Sequence, residues 1–401
     1  MPVKINLCSA DLCTGCTCCQ AICSQDAISM RPDNNGFLFP EIDYLRCISC
    51  GQCEKHCPQL NPPPDCSDKL GNETCFSIAH PNPEIRAGST SGGGFTILAE
   101  IILAQGGTVW GAAYDENLQV RHICVKSASE LSQLRFSKYI QSDLQNCFRQ
   151  IRTELRRASS APVLFSGTPC QVMGLKAYLE GADQTKLFTC EVICHGTPSA
   201  SLFRSYLDFL EKRRGAAVTE FCFRDKSKGW HDALRSGTVN GKKCFFSGDE
   251  DAFCSFFYQN LSLRESCFEC PRHTRSGGIA DYTIGDFWSY PKENIEILSL
   301  GLSFLLCHTI HGELLLQKIR PGILQSGDRA AAYAGNPHLT HSARRPVAYR
   351  NFMESAAAGD FAGLVEKFNN RGLRFRWSDK LRHYMPKYFF LIIRYLWGRV
   401  R

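Results

Sequence analysis

The sequence lacks any run of about 18 apolar residues, the length a helix needs to cross a bilayer, so no membrane-spanning helix is expected. The N-terminus, Met1-Pro2-Val3-Lys4-Ile5-Asn6, lacks a basic stretch followed by an apolar one, so no secretory signal is expected either. Over most of its length the chain also lacks an excess of positive charge. Its net charge is +7, yet residues 371–401 hold nine Lys/Arg against one acid, Asp379, a balance of +8 that leaves −1 for the rest. A body of that charge argues against a nucleic-acid-binding core. Neither G-x-G-x-x-G nor a P-loop with its lysine is present.

Cysteine, by contrast, is abundant, with 23 residues in 401. An odd number argues against a fully paired disulfide framework. An unsecreted, cysteine-rich chain points to the reduced cytoplasm, with thiolates serving metals. Ten of the cysteines precede residue 60, and eight of them form a repeat. Cys13, Cys16, Cys19 and Cys23 are matched 34 residues later by Cys47, Cys50, Cys53 and Cys57, each set spaced C-x2-C-x2-C-x3-C. Three closely spaced thiolates wrap one cubane and the fourth reaches the other, so two [4Fe–4S] clusters are expected in crossed arrangement. The first takes Cys13, Cys16, Cys19 and Cys57; the second takes Cys47, Cys50, Cys53 and Cys23. Zinc is the alternative for any Cys-x2-Cys pair, but zinc sites seldom use the triple spacing twice. Cys8 and Cys18 read as bystanders.

Three domains are expected: a ferredoxin domain over 1–64, a larger domain over 76–320, and a basic helical extension over 321–401. The fold class is α+β, a bacterial-type ferredoxin domain followed by an α/β domain with a mixed, partly parallel sheet. Strands are expected at 162–166 and 187–193, helices at 95–104, 140–157, 171–180 and 201–213, and a hairpin over 107–126. Cys170 and Cys194 each follow a predicted strand, and Cys267-Phe268-Glu269-Cys270 is a metal-type pair. If the two strands are parallel, these four thiols are enough for a third [4Fe–4S] cluster on the carboxyl edge of the sheet. Cys190, Cys222, Cys244, Cys254 and Cys307 read as small buried hydrophobes.

Several segments together resemble the beta-subunit family of coenzyme F420 hydrogenases and dehydrogenases. They are Ser89-Thr90-Ser91-Gly92-Gly93, Lys138 to Leu144, Leu164 to Gln171, Cys194 to Ser199, Phe223 to Lys226 with Gly229-Trp230, Cys267 with Cys270, and Asp281 to Trp288. Ser289 stands where the family usually has glycine. The resemblance implies an oxidoreductase, an iron–sulfur flavoprotein with FAD between the clusters and a two-electron partner such as coenzyme F420. It implies that Ser91, Gly92 and Gly93 cradle the FAD pyrophosphate, with Lys138, Ser142 and Asp286 near the cofactor. Arg224 and Lys226 would hold an anionic substrate, His195 would relay a proton, and Lys138 would be catalytic beside the flavin or its phosphate. For each the alternative is structural: a solvated lysine, a charged turn, a backbone-satisfying histidine, a helix cap. Two other functions stay open, a ferredoxin-linked reductase of another substrate, tied to surface polysaccharide synthesis, and an electron relay with no substrate of its own. The partner would be a redox protein or F420. The tail 377–401 reads as an interfacial helix making peripheral contact with the membrane, or as a helix packed on the body or a partner.

Overall fold

The computed structural model describes residues 5–64, 73–158, 161–274, 278–289 and 294–369. The tail 377–401 lies outside the described residues. Strands β1 (Ile28–Pro32) and β2 (Leu38–Ile42) form an antiparallel hairpin between the two cysteine groups. Its turn closes on Asn35-Gly36, with Gly36 in the left-handed region at φ 80°, a conformation glycine adopts without steric cost.

The main sheet is built from β3 (Thr74–Ile78), β4 (Thr108–Tyr114), β5 (Val120–Val125), β6 (Val163–Gly167) and β7 (Leu187–Val192). A small antiparallel sheet of β8 (Val218–Asp225), β9 (Leu234–Val239) and β10 (Lys242–Phe246) follows, and then β11 (Tyr282–Asp286), β12 (Ser303–Cys307) and β13 (Leu324–Ser326) return to the main one. Its order is β13-β3-β12-β11-β7-β6-β4-β5. β4, β6, β7 and β11 are parallel, while β5, β12, β3 and β13 pair antiparallel to their neighbours. The class is therefore the expected mixed, partly parallel α/β sheet after a ferredoxin-type module. Counting reversals, β3 runs with β4, β6, β7 and β11, so all five end on one edge.

Two sequence expectations shift. The helix expected over 140–157 covers only Cys147–Leu155. The residues before it are held extended: Gln141 N–H donates to Pro198 O, and Asp143 N–H to Val120 O. The sheet also continues past residue 320, because β13 pairs with β3. Beyond it, Phe352, Phe361, Leu364 and Phe368 are buried against Tyr206, Phe221 and Phe253. Residues 321–369 therefore close the body's core rather than extend from it.

Cys190, Cys254 and Cys307 are buried in the cores, and Cys222 and Cys244 are half-buried on strands of the small sheet. Among the described residues, no helix is long and apolar enough to cross a membrane.

Candidate functional site

In each cysteine group the chain must turn sharply enough to aim three thiols at one point. Gly15 and Thr17 do this in the first group, and Ser49 and Gly51 in the second, all with φ between 55° and 70°. The result is two cavities. One, of about 350 Å³, is lined by Cys13, Cys16, Cys19 and Cys57, together with Cys8. The other, of about 370 Å³, is lined by Cys47, Cys50, Cys53 and Cys23. The structure thus brings together both crossed sets. Cys18 points elsewhere, its thiol donating to His56 O at 3.1 Å. Cys8, read from the sequence as a bystander, instead faces the first cavity.

Cys170 and Cys194 follow the parallel strands β6 and β7 and emerge on the shared carboxyl edge. There they meet Cys267 and Cys270. Burial is the main force pushing the Cys194 thiol well above its usual range, and each of the other three adds to the push. Cys267 is raised to about 11 and Cys270 to about 12, again by burial first and then by neighbours within the quartet. Gly196 permits this approach: a Cβ there would lie 2.8 Å from Leu263 and 3.3 Å from the Cβ of Cys267, at a φ of 141°. Among the described residues, no three His, Cys, Asp or Glu side chains converge on a single-ion geometry. A cubane, whose four thiolates bind four separate irons, needs wider spacing than one ion does.

The first cavity and the quartet are joined by two contacts. On the helix Pro169–Tyr178, Gly174 lies one turn after Cys170, and a Cβ on it would sit 2.8 Å from the Cβ and 3.1 Å from the Sγ of Cys16. Arg264, three residues before Cys267, is almost wholly buried. It donates to Cys13 O at 2.6 Å, Leu38 O at 2.9 Å and Gln141 Oε1 at 3.0 Å. Its guanidinium lies 4.2 Å from the ring centre of Phe39. Gln141 in turn donates to Thr14 O.

The same edge carries the residues with implied flavin and substrate roles. Gly93, at φ 82°, begins the helix Gly94–Ala104, whose N-terminus has no side-chain cap. Gly92 packs so tightly that a Cβ would lie 2.6 Å from Ile78 O and Ser303 N. Ser91 Oγ donates to Leu302 O. Lys226 Nζ donates to three carbonyls, of Arg86, Ser91 and Leu300. Lys138 Nζ likewise donates to Ala112, Gln133 and Arg135. An ammonium has three donors, so both lysines are fully engaged by the backbone. Burial lowers each to about 7. Asp286 accepts from Arg224 at 3.1 Å and from Trp230 Nε1 at 2.7 Å. Trp230 and Trp288 stack at 4.6 Å, with the Arg224 guanidinium 5.4 Å from the Trp288 ring centre.

Ser142 stands apart, its hydroxyl 2.7 Å from Nδ1 of the buried His122. Burial drops that histidine to about 4, so it is neutral. His195 Nε2 meets Asn260 Oδ1 at 2.6 Å, and its ring lies 4.8 Å from Phe257 and 4.3 Å from His338. Burial first, then His338, lowers its affinity for a second proton. Ser289, the departure from the family pattern, donates to Ala331 O.

Residues 161–327 match the family model for the C terminus of the coenzyme F420 hydrogenase/dehydrogenase beta subunit. Residues 12–60 match that for a 4Fe-4S dicluster domain. The chain is thus similar to the F420 hydrogenase/dehydrogenase beta subunit over residues 161–327 and to dicluster ferredoxins over residues 12–60. The dicluster match makes it an iron–sulfur electron-transfer protein, joined to a region similar to that oxidoreductase subunit. It is also similar to a chain of the F420-reducing NiFe hydrogenase complex from Methanosarcina barkeri, with 15% identity over 75% of this chain and 94% of that one, at a TM-score of 0.46. No curated protein matches it.

Sequence reading missed Arg264, Gly174 and the Trp230–Trp288 pair as parts of one assembly. Both tryptophans fall in segments that resemble the family, so a signal existed for them. Nothing local marks Arg264 or Gly174, whose partners lie more than 120 residues away. Gly174→Val is expected to wedge the helix off Cys16 and cost about 1–3 kcal/mol, as overpacking does. The check is the denaturation midpoint of the anaerobic protein, together with the rate at which electrons given to the ferredoxin module reach the quartet. A variant matching wild type in both would show that this contact is loose.

Proposed function

We propose that the chain is an iron–sulfur flavoprotein oxidoreductase that passes electrons between three [4Fe–4S] clusters, FAD and a two-electron substrate such as coenzyme F420. One observation carries the reading. Two thiol-lined cavities stand in the N-terminal module, the first touches the helix of Cys170 through Cys16 and Gly174, and the four-thiol group lies on the sheet edge where an uncapped helix begins at Gly93.

The residues present fit these groups. Cys13, Cys16, Cys19 and Cys57 would hold one cluster, Cys23, Cys47, Cys50 and Cys53 the second, and Cys170, Cys194, Cys267 and Cys270 the third. When bound, the clusters carry single electrons and the flavin exchanges pairs, which is the conversion a hydride-type substrate needs. The free N–H groups that follow Gly93 suit a pyrophosphate. Lys138 and Lys226, with every donor on carbonyls, shape the loops around that site. Arg224 offers an anionic substrate its charge, but Asp286 offsets much of it. His195, singly protonated with Nε2–H on Asn260, keeps Nδ1 free of that bond, so it would be able to accept a proton.

The second cavity is the outer port. Cys50 is exposed there, and Tyr44, Leu45 and Ile48 present apolar surface beside it, suited to a one-electron partner protein. The proposal places the protein in the cytoplasm and assigns the tail 377–401 to contact with a membrane or partner.

The test is anaerobic purification with iron, sulfide and flavin analysis, followed by a spectral assay of F420 reduction. About 12 irons and one FAD per chain are expected. Iron without any flavin would favour the plain electron relay; flavin with no F420 turnover would favour a reductase of another substrate.

A further inference from the structure

The first cavity holds five thiols where a cubane uses four. Cys8 lines it beside Cys13, Cys16, Cys19 and Cys57, with Cys13 and Cys57 as its nearest interacting thiols. Its place is fixed from both sides. Before it, Ile5 is buried against Ile28 and Cys53, and Asn6 N–H donates to Glu54. After it, the N–H groups of Leu12 and Cys13 close a turn on Ser9 O.

The 34-residue repeat shows that this thiol is an addition. Shifted by the same 34 positions, Cys8 falls on Ile42, which lines the second cavity. That cavity has only Cys23, Cys47, Cys50 and Cys53. At one site the repeat carries an apolar wall, and at the other a fifth sulfur beside two ligands.

We propose that Cys8 is a reserve ligand of the first cluster, able to take the place of Cys13 or Cys57. The inference rests on the cluster reading above. The exchange is redox-neutral. A bond forms from the sulfur of Cys8 to the iron as the bond from Cys13 or Cys57 breaks, and the proton leaving Cys8 passes to the departing thiolate or, where that thiol is absent, to water. A spare thiol that already lines the cavity stands beside the iron those ligands hold.

The test uses the full chain, purified without oxygen, with iron analysis and mass mapping of iodoacetamide-modified cysteines. Cys13→Ser and Cys57→Ser should each keep wild-type iron. Cys8→Ser/Cys13→Ser should lose about four irons, and so should Cys53→Ser at the second cavity, where no spare exists. In Cys13→Ser, Cys8 should resist alkylation for as long as the iron is retained. Loss of four irons from both Cys13→Ser and Cys57→Ser, with Cys8 still alkylated, would overturn the proposal. Wild-type protein without iron, or Cys53→Ser with full iron, would overturn the cluster reading itself and the proposal with it.

Discussion

Cys267→Ser is expected to remove about four irons per chain and leave the spectra of the ferredoxin module unchanged. The reason is local. Cys267 lies in a short turn between Arg264, whose carbonyl accepts its N–H, and Cys270, and it shares a buried space with Cys170 and Cys194. A serine hydroxyl does not ionise there to replace a thiolate, and the neighbouring Cys16 serves the first cavity. If the proposed function holds, electrons delivered to the ferredoxin module should then fail to reach the substrate. Cys244→Ser, on β10 and distant from the quartet, should leave iron unchanged. Iron analysis and cluster spectra of the two anaerobic variants decide the matter; equal iron in both would remove the third cluster from the scheme.

The cysteine spacing was legible because cluster ligation is written in short-range sequence. Three thiols within seven residues have few other uses, and the cavities formed around them follow from left-handed turns that Gly15 and Gly51 allow. The quartet was half legible. Strands before Cys170 and Cys194 could be read from their apolar runs, but their parallel pairing is a tertiary fact. Least legible was what the charged residues do. The family resemblance implied ligand-binding roles for Lys138 and Lys226, yet each sits on three backbone carbonyls, of Ala112, Gln133 and Arg135 for the first and of Arg86, Ser91 and Leu300 for the second. Beyond residue 320 the strand β13 is three residues long, and the helices that follow derive their burial from the aromatic core of the small sheet. Too little periodicity remained there to see.

Arg272→Met is expected to destabilise the folded protein by about 3–5 kcal/mol, the cost of breaking a buried ion pair from one side. Glu191 lies at the centre of the sheet on β7 and is fully buried. One carboxylate oxygen accepts from Arg272 Nε at 3.1 Å and from Thr283 Oγ1 at 2.6 Å, and the other has no partner among the described residues. Without the guanidinium, a carboxylate would be left in the sheet with one hydroxyl to hold it. The pair also ties the two halves of the quartet: Glu191 is three residues before Cys194, and Arg272 two after Cys270. Arg272→Met should therefore weaken iron retention at the quartet as well as stability. Adding Glu191→Gln removes the stranded charge and should recover part of the stability, but not the tie between the two cysteine loops. Denaturant midpoints of the single and double variants, measured without oxygen alongside iron content, separate the two effects. If Arg272→Met unfolds at the wild-type midpoint, the carboxylate is held by groups other than the arginine, and the pair is not what fixes the Cys270 turn to β7.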